Sequence, residues 1–393
     1  MKTDLEIFTE NIDADAVNQV YELLAQPPFA GAKVRVMPDA HYGKGCVVGF
    51  TATLGDKIIP NVLGVDLGCG MLTVELGKVE IDLPALDKFI RQKIPAGSRC
   101  RKEVNGEHLI KQLRCFADLR EMDRLYGSLG TLGGGNHFIE VDEDDEGNKY
   151  LVIHSGSRNL GLQVANLYQH RAIDACKNAA MDERQKVIDE WNAKGMPEKI
   201  PEAIDEVTKK YAHKTKIPNA YCYLEGEDMQ AYLHDLKLCQ QFASESRKKM
   251  ADDILKHLKI RRYTSFETVH NFIDEDNIVR KGAIPAHAGQ KVLIPMNMRD
   301  GCLICIGKGN PDWNESAPHG AGRLYKRSAV KDLFTLEEYQ AEMQGVYTTA
   351  VSLSTLDESP MAYKPMEEIV RLIAPTVEIV GRMKPIYNFK AGE

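Results

Sequence analysis

The chain of 393 residues has no run of 18 apolar residues, so no helix is expected to span a membrane. Its first residues, MKTDLEIFTENID, lack the apolar core of a signal peptide. Positive charge is not in excess. A net charge of −7 excludes a wholly basic nucleic-acid coat and leaves room for a local basic cleft. There is no even-numbered cysteine framework. Nine cysteines at scattered spacings read as reduced thiols and a cytoplasmic location. No GxxxxGK followed by Ser or Thr occurs, which excludes a P-loop. Internal repeats and low-complexity linkers are also missing. What remains is a globular composition, 43% hydrophobic and 27% charged, able to bury a core without staples.

The pattern changes along the chain. Residues 14 to 26 predict an amphipathic helix ended by Pro27-Pro28. Short apolar runs broken by glycine follow (AKVRVMPD, GCVVGFTATLG, IIPNVLGVDLG, MLTVEL) and predict strands with tight loops. Residues 84 to 93 and 107 to 126 predict helices, and YLVIHSGS (150 to 157) a strand entering a loop. From about 162 to 260 the chain is charged and helical in pattern. Strand-and-glycine style returns after 262, and a helix near 364 to 373 precedes a strand, VGRMKPIYNFK. Strand segments on both sides of a helical block predict an α+β (mixed α/β) fold. The organisation expected is one discontinuous domain over 1–393, with a helical insertion at 162–260.

Thiolate, imidazole and carboxylate bind borderline divalent metals. In LGVDLGCGM (63 to 71), Asp66 and Cys69 sit three apart among glycines. Alone, the stretch reads more readily as a strand-to-turn junction with a buried thiol. As a ligand pair, it would let backbone crowd an ion and let one sulfur bridge two cations. His108, His170, His213, His234 and His257 lie in charged helical stretches and read as surface positions. His41, His137, His154, His270, His287 and His319 sit beside glycine or at strand ends, where function concentrates.

Three further segments carry chemistry. GSLGTLGGGNHFIE (127 to 140) joins a glycine run, whose amides suit phosphate oxygens, to Asn136, His137 and Glu140. HSGSRNLG (154 to 161) sets Arg158 after His154, suited to an anionic oxygen or to a plain polar turn. APHGAGRLYKR (317 to 327) places His319 before Gly-Ala-Gly with Arg323, Lys326 and Arg327 behind it. An exposed imidazole there suits attack on phosphorus; a helix-capping turn is the plain alternative. Cys302-x-x-Cys305 lies in an apolar run without a second CxxC and reads as strand core.

In order, MPDAHYGKG, GVDLGCGM, GTLGGGNHFIE, VIHSGSRNLG, VHNF, KGAIPA, HGAGR and the terminal KPIYNFKAGE make the chain resemble the RtcB family of RNA-splicing and RNA-repair ligases. The resemblance implies joining of an RNA 3′-phosphate or 2′,3′-cyclic phosphate to a 5′-hydroxyl, with GTP and manganese. It implies that His319 is guanylylated, and that Asp66, Cys69, His137, His154 and His270 hold two Mn²⁺ ions with Cys69 bridging. Asn136, Glu140, Tyr363, Lys390 and the loop Gly320, Ala321, Gly322 and Arg323 fall at nucleotide-binding positions. Arg158 and the Arg323–Arg327 cluster fall to RNA phosphates. Asp39 is the candidate to orient His319. Broken RNA is the expected partner, as tRNA halves or damaged RNA, and the resemblance leaves room for an activating protein. The helical block is expected to set RNA choice or to meet a partner. Two other readings stay open: a manganese phosphohydrolase or cyclic phosphodiesterase without ligation, and an RNA-end binding protein without catalysis.

Overall fold

The structure is a computed structural model and describes residues 3–391. Gly392 and Glu393, which close the terminal motif, lie outside the described residues, as do Met1 and Lys2.

The larger sheet is antiparallel through seven strands, in the order Lys291–Asn297, Gly301–Gly307, Val377–Lys390, Phe138–Asp144, Lys149–Ser155, Gly70–Gly77, Thr264–Val269. A short strand, Tyr347–Thr348, adds in parallel to the long C-terminal one. The second sheet is mixed and runs Asp4–Ile7, Lys33–His41, Val48–Thr53, Ile278–Lys281, Asn271–Ile273. Two small ribbons complete the β structure: Ala283–Pro285 with Ser316–Pro318, and Lys57–Ile58 with Leu224–Glu225.

Alternation along Phe138–Asp144 puts Ile139 and Val141 on one face and Glu140 and Asp142 on the other. Ile139 and Val141 join Leu72, Val74, Leu151 and Ile153 against Met250, Ile254 and Leu255 of the helix Gly226–Leu258. That helix and Arg158–Ala193 also build the largest core, in which Tyr168, Tyr232 and Phe242 meet Val34, Val36 and Phe50 of the mixed sheet. The two α-helices are 33 and 36 residues long, and both lie in the helical block expected from the sequence. No helix among the described residues is long and apolar enough to cross a membrane.

The expected N-terminal helix is Ala14–Leu24. Asp13 caps it by accepting from the Ala16 amide at 2.8 Å, and its buried face is Ala16, Gln19, Val20 and Leu23. The helix expected over 107 to 126 is not continuous. It breaks into Glu107–Ile110, a 3₁₀ turn at Phe116–Asp118, and Met122–Tyr126. The cause is distant in sequence. Buried Asp235 accepts from the amides of Arg114 at 2.8 Å and Cys115 at 3.0 Å, taking them out of helical bonding. The helical block begins at Arg158, not 162, and is interrupted after Ala193 before resuming at Ile200–Tyr211. Cys302 and Cys305 lie in one strand on opposite faces, in separate apolar clusters, so they cannot share an ion.

Candidate active site

Antiparallel register brings four chain segments to one end of the larger sheet. Strands Phe138–Asp144 and Gly70–Gly77 start there, and Lys149–Ser155 and Thr264–Val269 finish there. His154 stands opposite both Phe138 and Met71. His137 and Cys69 immediately precede their strands, and His270 immediately follows its own. The His270 amide bonds the Cys69 carbonyl at 2.9 Å, so the ladder runs one step past the last strand residue. Residues scattered over two hundred positions thus meet because strand ends meet.

Two donor groups result, sharing Cys69. Ligand atoms of Asp66, Cys69 and His137 lie within 4.8 Å of one another, as do those of Cys69, His154 and His270. The Cys69 sulfur is 3.4 Å from His137 Nε2 and 3.3 Å from His154 Nε2. His154 Nδ1 donates to the Asn136 carbonyl at 3.1 Å, which leaves Nε2 as a lone pair aimed at the cluster. His270 Nδ1 is buried without a partner. Burial pushes His154 and His270 well below the usual imidazole range, so both rings are neutral. Burial, with the Asp66 charge, pushes the Cys69 thiol up. Burial opposes the Asp66 charge too, but His137 and Arg158 outweigh it and hold that carboxyl well below the ordinary range. Neutral imidazoles, a thiol and an ionised carboxylate converging on one point fit a borderline divalent cation.

The helical block supports this cluster directly. Fully buried Arg247 on helix Gly226–Leu258 donates to the Gly68 carbonyl at 3.0 Å and the Ser155 carbonyl at 2.7 Å. A Cβ on Gly68 would stand 2.7 Å from the Gln240 Cα of that helix, so glycine is what allows the loop to seat there. Arg158 is not a surface arginine. Its Nη1 donates to His137 Nδ1 at 2.9 Å, and its guanidinium fills the space where a Cβ on Gly133 would be. That glycine run therefore makes room for an arginine.

His319 lies in the loop between Ser316–Pro318 and the helix Arg327–Leu333, not at a helix N-terminus. Its ring centroid is 4.8 Å from that of His270. Nδ1 donates to Asp39 Oδ2 at 2.6 Å, and Asp39 is fully buried. Gly322, at φ +75°, lets the loop close on Asp39; a Cβ there would be 2.3 Å from the Asp39 carbonyl. Lys364 clamps the same segment, donating to the Pro38 carbonyl at 2.9 Å and the Asn11 carbonyl at 2.6 Å.

Two cavities meet at His319. One, with some 790 Å³ of open space, is lined by Asn136, Glu140, Tyr363, Asn388 and Lys390 beside the loop His319–Arg323. The other, wider and more open, reaches Asp66, Cys69, Lys281 and the exposed Tyr42 and Tyr325. In the first, buried Glu358 is the hub. It pairs with Lys390, Arg327 and Arg323 and accepts from Tyr363 Oη at 2.7 Å. Burial works against the Glu358 charge, yet the three cations hold its carboxyl well below the usual range. Arg327 also reaches Asp357 at 2.6 Å, and Lys326 reaches Asp15 at 2.8 Å. The basic cluster expected to face RNA is thus already engaged by acids.

The structure leaves His287 outside this group, bonded to Glu315 at 2.8 Å. His41 lines both cavities, and its Nδ1 bonds the Asp39 carbonyl at 2.9 Å. The five histidines read as surface positions are exposed. Sequence reasoning missed Glu358, Lys364, Arg247 and Lys281. Lys281 alone had a local signal, since it opens the KGAIPA segment.

A family model described as tRNA-splicing ligase RtcB matches residues 19–119 and 111–391. The chain belongs to the RtcB family. The RNA-splicing ligase RtcB1 of Escherichia coli strain ATCC 25922 is 28% identical to it, over 96% of this chain and 95% of its own length. The RNA-splicing ligase RtcB of E. coli K12 is 27% identical over the same shares. The tRNA-splicing ligase RtcB of Methanococcus maripaludis is 25% identical, over 97% of this chain and 92% of its own. The RtcB match therefore covers the donor cluster, the His319 loop and both cavities, as well as the helical block.

Proposed function

We propose that this chain is an RNA ligase that joins RNA 3′-phosphate or 2′,3′-cyclic phosphate ends to 5′-hydroxyl ends through a guanylylated His319. The observation that carries the reading is the His319 ring, fixed at Nδ1 by a buried carboxylate and set between a metal-donor cluster and the cavity lined by Glu140, Tyr363 and Lys390. Asp66, Cys69 and His137 would hold one Mn²⁺ ion, and Cys69, His154 and His270 a second. Bound there, the ions would screen the triphosphate and polarise its α-phosphoryl group.

Asp39 accepts the Nδ1 proton, so the attacking lone pair belongs to Nε2. Attack on the α-phosphorus of GTP forms a P–N bond and expels pyrophosphate, and Asp39 stabilises the charge that grows on the ring. Glu140, Tyr363 and Lys390 wall the pocket that takes the guanine. A cyclic end is first hydrolysed to a 3′-phosphate. An oxygen of that 3′-phosphate then attacks the guanylyl phosphorus, breaking P–N and forming RNA-(3′)pp(5′)G. The 5′-hydroxyl finally attacks the 3′-phosphorus, forms the phosphodiester and releases GMP. Lys281 supplies positive charge at the wider cavity for the RNA phosphates. RNA binding should therefore weaken as salt rises. Free thiols at all nine cysteines suit a reducing, cytoplasmic setting.

The test is incubation with α-labelled GTP and Mn²⁺. A covalent, acid-labile label that His319→Ala abolishes is the expected result. Metal uptake without label would replace this reading with a phosphohydrolase, and no metal uptake would replace it with an RNA-end binder. Asp39→Ala should slow labelling by about 10²-fold or more, the usual range for a lost acid–base contribution. Unchanged labelling would remove Asp39 from its role.

A further inference from the structure

Behind the nucleotide pocket lies an acidic pair of which the reaction above uses only one member. Glu140 lines the pocket, and Asp142 follows two residues later on the same strand face, fully buried. An oxygen of each lies within 4.8 Å of the other and of the Cys302 sulfur. Glu140 accepts from Asn388 Nδ2 at 2.5 Å, and Cys302 Sγ stands 3.9 Å from its other oxygen. Both oxygens of Asp142 are buried with no hydrogen-bond partner.

Every charged neighbour of the pair has another partner, and the one thiol beside it is neutral. On the C-terminal strand, Lys390 is paired with Glu358. On the adjoining strand, Tyr150 donates to Asp144 at 3.0 Å. Cys302, on Gly301–Gly307, is a neutral thiol raised by burial and by the two acids. Across the pocket, Arg323 and Arg327 are held by Asp357 and Glu358. Among the described residues no cation is left for Asp142. Two carboxylates this close in an apolar setting do not both ionise; they share a proton. Burial raises both acids, Asp142 to about 6.

We propose that Asp142 is a positioning residue that takes up the proton shared with Glu140 when a base with two adjacent N–H donors binds, leaving Glu140 an ionised acceptor for that base. This rests on the guanine reading of the pocket. Guanine presents N1–H and N2–H on one edge, and only a carboxylate accepts both. When the base engages, the O–H bond on Glu140 breaks and one on Asp142 forms, so no proton goes to solvent. The oxygens of Asp142 gain their missing partner in the same event. An apolar site favours the neutral acid that results.

The experiment is the pH dependence of the GTP KM with two near-isosteric variants. Titration of GTP itself is common to all profiles and cancels. Asp142→Leu leaves the Glu140 proton no acceptor but solvent, so the KM at pH 7 should rise at least tenfold and fall back toward wild type as the pH is raised. Asp142→Asn keeps the shape but cannot take up a proton, and should show the same pH-dependent rise. A wild-type profile in either variant, or a rise in KM that does not change with pH, would overturn the proposal. If Asp142→Leu does not fold, calorimetry of GMP binding to the metal-loaded wild type at pH 8 decides. Heat independent of buffer ionisation is expected, and release of about one proton would overturn the proposal. Glu140→Gln separates the two levels of argument. It should raise the GTP KM and weaken preference over ATP. If it does neither, the guanine reading fails; if it does both while the Asp142 variants match wild type, only the proton sharing fails.

Discussion

The two sides of His319 handle buried polarity in opposite ways. Toward the sheet end, Cys69, His154 and His270 turn ligand atoms at one another, and His270 Nδ1 has no hydrogen-bond partner among the described residues. Toward the pocket, Glu358 is saturated by Lys390, Arg327, Arg323 and Tyr363. The first side is a donor set that something from outside must complete. On the second, Glu358 is already satisfied and so forms a preorganised part of the wall that need not rearrange when a ligand enters. A loss on the first side should therefore appear as lost metal with the fold intact. A loss on the second should appear first as lost stability.

The largest effect is expected at Cys69, the atom common to both donor groups. Cys69→Ala should strip the protein of bound Mn²⁺ and cut labelling by GTP well beyond the roughly 10–100-fold that an outer-shell partner costs. Elemental analysis after dialysis reads the metal, and a melting curve close to wild type shows that the fold survives. Two ions retained would refute the shared-sulfur centre and with it half of the contrast.

Glu358→Gln tests the other half. It leaves Lys390 and the arginines charged around a neutral amide, at a cost of roughly 3–5 kcal/mol. The pH dependence has a definite sign. The folded state holds the Glu358 carboxyl below its ordinary value, so its contribution is complete above an unfolded pKa of roughly 4.3 and fades as pH falls toward the depressed folded value. The stability gap between wild type and variant should be flat from about pH 8 to about pH 5 and close in acid, as read by denaturant titration. A gap that widens in acid would show that Glu358 is not the ionised partner.

The contrast also explains what the sequence showed. Cys69, His137, His154 and His270 stand at strand ends or beside glycines, so each carried a local mark, and motif order supplied the expectation that they converge. Glu358 carries no such mark. It lies in a short turn, and its partners sit 31 and 32 residues away at Arg327 and Lys390. Arg247 and Asp142 are hidden for a similar reason. One reads as a solvated helix position, the other as one acid in the run DEDDE, and only packing shows both to be buried. The helix expected over 107 to 126 failed because its competitor, Asp235, lies 121 and 120 positions beyond the amides it captures. Strands and long helices were legible because periodicity is local. Groups whose role depends on a distant partner were not.

Lys364 gives the finest test, because it belongs to neither side and holds the hinge between them. Its ammonium donates to the carbonyls of Pro38 and Asn11, and so fixes the backbone that carries Asp39. Burial pulls its pKa down, with the charge of Asp39 opposing that pull. Lys364→Met keeps most of the volume and removes the clamp. Asp39 should then hold His319 less firmly while the metal donors and the Glu358 hub stay as they are. The labelling rate at saturating GTP is expected to fall about tenfold, less than the ~10²-fold that a 1 Å misplacement can cost. Metal content and GTP KM should stay near wild type. If KM rises as much as the rate falls, the lysine serves the pocket rather than the nucleophile, and the division drawn at His319 would have to move to include Asp39 on the saturated side.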